Sequence, residues 1–64
     1  MKFREAEKIL KANKWYLVRI CGSHYQYQKE GFPSTVVVPN HNSHDLTIGV
    51  LKSIEKKTGL SLRR

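Results

Sequence analysis

Apolar positions recur at three- and four-residue intervals over the first dozen residues: Phe3, Ala6, Ile9 and Leu10 share one side of a helical projection, with Lys2, Glu5, Lys8 and Lys11 opposite. This predicts a helix over Lys2 to Ala12, and Asn13 suits its end because asparagine tolerates the left-handed conformation that closes many helices. The period then changes. Trp15 to Cys21 is a run of aromatic and β-branched residues bounded by Gly22-Ser23, which predicts a strand entering a tight turn. His24 to Gln28 alternates, with His24, Gln26 and Gln28 on one face and Tyr25 and Tyr27 on the other, as a second strand does. Lys29 to Ser34 contains Gly31 and Pro33 and reads as a loop, and Thr35 to Val38 is a short third strand ended by Pro39. The polar stretch Asn40 to Asp45 leads into a second helical pattern at Leu46, Val50, Leu51 and Ile54. Its candidate caps are Ser43, Asp45 and Thr47, and Gly59 stands behind Lys56 and Lys57 as its stop. The tail from Leu60 to Arg64 is expected to fray unless a partner orders it.

The order helix, three strands, helix predicts a small α+β fold: a three-stranded antiparallel meander with both helices on one face and the other face open to a ligand. Sixty-four residues make a single domain, 1–64, and a chain of that size buries only roughly 60% of its unfolded surface, so the core is thin. Cys21 is the sole cysteine, which excludes an internal disulfide and a cysteine-based zinc site.

Charge narrows the partners. Twelve Lys and Arg against five Asp and Glu leave a net charge of +7, so a polyanion is the first partner to consider, whether RNA, DNA, an acidic protein or an anionic membrane surface. The opening Met1 to Glu7 resembles neither a signal peptide nor a membrane span, and a cytoplasmic location without a membrane partner is expected. Arg19, Lys29, Lys52, Lys56, Lys57, Arg63 and Arg64 are candidate phosphate contacts. Trp15, Tyr25 and Tyr27 are candidates for base stacking or for the core, Trp15 more naturally the core.

His24, directly behind the Gly22-Ser23 turn, is the side chain best suited to proton transfer near neutrality. Cleavage of RNA through its 2′-hydroxyl needs one proton removed and another delivered, and such general acid-base help typically contributes a factor of about 100 to 10,000. By pattern alone, His24 also fits a strand histidine that only bonds a neighbour. Lys29, a tyrosine, water or a second protomer are the candidate partners in proton transfer. Cys21 reads as a small strand residue rather than a nucleophile paired with His24. His41, His44 and Asp45 would need ligands from elsewhere to hold an ion, so no metal and no cofactor is expected.

Trp15, the triplet Gly22-Ser23-His24, the segment Val38-Pro39-Asn40-His41, the helix opening Asp45-Leu46-Thr47-Ile48-Gly49 and the ending Gly59-Leu60-Ser61 together resemble the HicA family, in order and spacing over nearly the whole chain. The resemblance implies a fold like that of the double-stranded RNA-binding domain and the activity of an mRNA interferase, an endoribonuclease of a toxin-antitoxin pair that is neutralised by a HicB antitoxin. It also implies a hetero-oligomer with that antitoxin. The family's catalytic histidine carries over onto His24, and its second histidine onto His41 in a structural or RNA-contacting role; Gly22, Ser23, Arg19 and Lys29 are the supporting residues. The alternative is a non-catalytic RNA-binding module of the same fold. One departure from the family pattern is Lys14, where a glycine commonly precedes the aromatic residue; either Asn13 takes the left-handed position here or the turn differs.

Overall fold

The computed structural model of the chain describes residues 1–41 and 44–62. Its elements are α1 (Phe3–Ala12), β1 (Tyr16–Cys21), β2 (His24–Gln28), β3 (Val36–Pro39) and α2 (Ile48–Thr58). The strands form one antiparallel sheet in the order β1-β2-β3, the αβββα arrangement that the periodicities predict.

Helix α1 starts with the Lys2 N–H donating to the Glu5 side chain at 2.9 Å, which satisfies one of the donors a helix start leaves open. It buries Phe3, Ala6 and Leu10. Its end is a Schellman motif: the Trp15 N–H donates to the Leu10 carbonyl (2.9 Å) and the Lys14 N–H to the Lys11 carbonyl (3.1 Å). The left-handed residue of that motif is Lys14 at φ +71°, not Asn13, whose φ is −106°. Asn13 instead donates its side-chain amide to the Ile9 carbonyl at 2.8 Å.

Helix α2 is capped by Thr47, whose hydroxyl accepts from the Val50 N–H at 3.2 Å. Asp45, the other described candidate cap, pairs with Lys2 at 3.0 Å, and the Leu46 N–H donates to the Met1 carbonyl (2.8 Å), so the segment before α2 is stitched to the N-terminus. Ser43 lies outside the described residues. Gly59 closes α2 in the left-handed conformation at φ +76°. As far as Leu62 the tail is packed: Leu62 is buried and its N–H donates to the Glu55 carboxylate at 2.8 Å.

The register divides the sheet into two faces. Tyr27 faces Leu17 and Val36, and Tyr25 faces Ile20 and Val38, on the inner side; His24, Gln26 and Gln28 share the outer side with Cys21, Arg19, Tyr16, Pro39 and Val37. The core gathers Phe3, Ala6, Leu10, Trp15, Tyr27, Val36, Val38, Leu46, Leu51, Ile54 and Leu62. Phe3 meets Tyr25 edge-on with ring centroids 4.7 Å apart, the Tyr27 hydroxyl donates to the Glu7 carboxylate, and α2 packs against β3. The helical layer thus covers β2 and β3, whereas all six residues of β1 stay exposed.

Candidate active site

His24 opens the central strand, directly across from Cys21 on one side and Pro39 on the other. The turn before it decides this placement. Gly22 has φ +62°, and Ser23 is not at positive φ, an arrangement of the type II′ hairpin turns whose twist suits the flanking strands. A Cβ at Gly22 would meet nothing within 4 Å, so glycine is required there by the backbone rather than by space. The Asn40 N–H donates to the Ser23 carbonyl at 2.7 Å, so the chain leaving β3 holds the turn from the far side. His24 is exposed as a result, on the face that the helices leave open.

The hairpin register aligns Arg19 with it. Counting back from the turn, Cys21 pairs with His24, Ile20 with Tyr25 and Arg19 with Gln26, so Arg19 sits one rung from His24 on the same face. The register skips Val18 only beyond Arg19, and that extra residue reverses the alternation for Leu17 and Tyr16. That rung is about 7 Å along the strand. No position of this face is a carboxylate, so nothing on it repels a phosphate. Ser23 and Gly22 form the turn itself, and His41, exposed, follows Asn40 where the chain turns away.

Lys29 is not brought to this group. It lies past the other end of β2, about 16 Å from His24 at the rise of a strand, with its ammonium 5.0 Å from the centre of the Phe32 ring. It is corrected from a proton-transfer partner and site support to a side chain of the β2–β3 loop. Tyr25 and Tyr27 are likewise corrected: both face the helices, and burial together with the Glu7 carboxylate pushes the Tyr27 hydroxyl far above the usual phenol range. Trp15, only 2% exposed, is the core anchor and not a stacking platform. The aromatic residue that does stand on the open face is Tyr16, 51% exposed and across from Gln28. Its signal in the sequence was its place at the head of the strand, obscured by the bulge that resets the alternation after it.

Cys21 comes closer to His24 than the turn between them suggested, since the two are cross-strand partners. Lys52, Lys56 and Lys57 line the exposed side of α2, in the layer behind the sheet, and the Lys57 ammonium donates to the Thr35 carbonyl at 3.4 Å. Arg63 and Arg64 lie outside the described residues. A groove of about 720 Å³ runs along α1 between Arg4, Lys8, Tyr25 and Asn40; it opens on the helical side, away from His24. No three His, Cys, Asp or Glu residues cluster closely enough to hold a metal ion among the described residues, and none of the described helices is long and apolar enough to cross a membrane.

The profile of the family described as "HicA toxin of bacterial toxin-antitoxin" matches residues 3–60 of the 64-residue chain. No curated protein matches the chain significantly. The matched span runs from the first residue of α1 past the end of α2 and contains the Gly22-Ser23-His24 turn, so the chain belongs to the HicA toxin family of bacterial toxin-antitoxin systems.

Proposed function

We propose that this chain is a cytoplasmic endoribonuclease, the mRNA interferase of its toxin-antitoxin pair, with His24 as its catalytic residue and a HicB-type antitoxin as its inhibitor. The observation that carries the reading is the exposed imidazole at the turn end of the central strand, on a face free of carboxylates with Arg19 one rung away.

RNA laid across the open face meets the Arg19 guanidinium, which holds a phosphate, while Gln26 and Gln28 offer amide groups to sugar or base edges. The His24 imidazole takes the proton of the 2′-hydroxyl. The resulting oxyanion attacks the adjacent phosphorus and the bond to the 5′-oxygen breaks, leaving a 2′,3′-cyclic phosphate and a 5′-hydroxyl. The proton for that leaving oxygen comes from water, because the two tyrosines of β2 and Lys29 are turned or placed away from His24. The steps use the imidazole, a water molecule as proton donor and a positioned cation.

The test is incubation of the chain and of His24→Ala with a labelled single-stranded RNA in the presence of EDTA. Cleavage by the parent, reduced at least 100-fold in the variant at unchanged RNA affinity, is the expected result. RNA binding without fragments from either protein would instead make the chain a docking module.

A further inference from the structure

Strand β1 is the part of the molecule that its own fold leaves unfinished. It is the longest strand and an edge of the sheet, and its inner-face residues Leu17 and Ile20 remain 37% and 49% exposed, because the helices cover only β2 and β3. The other edge is protected: β3 has four residues, ends in Pro39 and buries Val36 and Val38. Next to the pair that flanks a two-residue hairpin turn, the N–H and C=O of the following residue point away from the partner strand, which at this hairpin aims those of Ile20 at the open edge. An edge with free backbone groups beside uncovered apolar side chains is a template for another strand. The Val18 bulge and the single charge of Arg19 discourage indiscriminate pairing along it.

Charge selects the occupant. The sequence contains no acidic residue between Glu7 and Glu30, while Lys8, Lys11, Lys14, Arg19 and Lys29 fall in that interval. A second copy, itself at +7, would bring cations against cations. We propose that β1 is the docking edge for a β-strand of the antitoxin partner, acidic along its flanks, which extends the sheet beyond β1 and covers Leu17 and Ile20. The proposal rests on the reading of the partner as an antitoxin and is independent of whether His24 cleaves RNA. Because the added strand continues the sheet that carries His24, it would hold its owner beside the open face.

The experiment uses the complex of this chain with a HicB-type antitoxin, followed by amide hydrogen exchange and by affinity measurements on Ile20→Glu and, as a control distant from β1, Ile48→Glu. Ile48 is also exposed, at 61%. Exchange at the Ile20 amide slowed more than tenfold in the complex, with affinity lowered at least tenfold by Ile20→Glu and less than threefold by Ile48→Glu, is the expected result. Unchanged exchange along β1 overturns the proposal, as does absence of a complex or a dimer of the chain alone that Ile20→Glu dissolves. Exchange on the unmutated complex decides the matter even if Ile20→Glu fails to fold. Cleavage by the free chain reports on the nuclease separately, so the two readings fail independently.

Discussion

Lys14 occupies a backbone position that costs a side-chain-bearing residue on the order of 1 kcal/mol, and it does so because the Schellman geometry of α1 demands a left-handed residue immediately before Trp15. Replacement Lys14→Gly is expected to stabilise the chain by about 1 kcal/mol, read as a rise of roughly 4–8 °C in the thermal midpoint; an unchanged or lower midpoint would show that Lys14 is relaxed where it stands. Tyr27 shows the opposite economy, since its hydroxyl ties β2 to the Glu7 carboxylate across the helix-sheet boundary. Tyr27→Phe leaves that carboxylate beside the core with Lys11, 3.7 Å away, as its remaining partner among the described residues, and a hydrogen bond to a charged group is worth about 1.5–3 kcal/mol. Calorimetry of the variant is the measurement. The phenol is held protonated in the folded chain by burial first and Glu7 second, so its contribution is fully present below the ordinary phenol range near pH 10 and is lost as the pH rises above it. The parent should therefore lose stability more steeply than Tyr27→Phe in an alkaline series.

At the scale of the element, the hairpin of β1 and β2 assembles the candidate site. Simple alternation along Tyr16-Leu17-Val18-Arg19 would put Tyr16 and Arg19 on opposite faces, and the bulge at Val18 puts them on the same one. Every other pair of the hairpin is regular without Val18. Deletion of Val18 is thus expected to keep the pairs Leu17 to Tyr27 and Cys21 to His24, to leave Arg19 beside His24, and to change stability by no more than about 1 kcal/mol, the scale of an ordinary substitution. Cross-strand contacts in an NMR spectrum would reveal a slipped register if that account were mistaken. The alternation of β2 was legible from His24 to Gln28 because one face is buried and the other wet. That of β1 was not, since neither of its faces is covered and no burial contrast marks the bulge.

For the whole molecule, the proposed function makes binding of RNA by the excess of cations an exchange of protein cations for those condensed on the phosphates. With Arg19 and a few neighbouring cations engaged, the logarithm of the affinity should fall with the logarithm of salt concentration, with a slope of about −0.7 per phosphate contacted on a single strand. Titrations at several ionic strengths, repeated with Arg19→Ala, should show the slope reduced by roughly one contact. An unchanged slope would remove Arg19 from the path of the RNA.

The order of elements, the open face of the sheet and the position of His24 behind a glycine turn followed from sequence alone, because period, turn chemistry and charge are local properties written in neighbouring residues. Which groups surround that imidazole was decided only by the tertiary structure. Strand register excluded Lys29 and admitted Arg19, burial turned Tyr25 and Tyr27 inward, and the bulge admitted Tyr16. Helices that reach only two of the three strands left β1 uncovered. These outcomes depend on how elements distant in sequence share limited apolar surface, and no local pattern records that division.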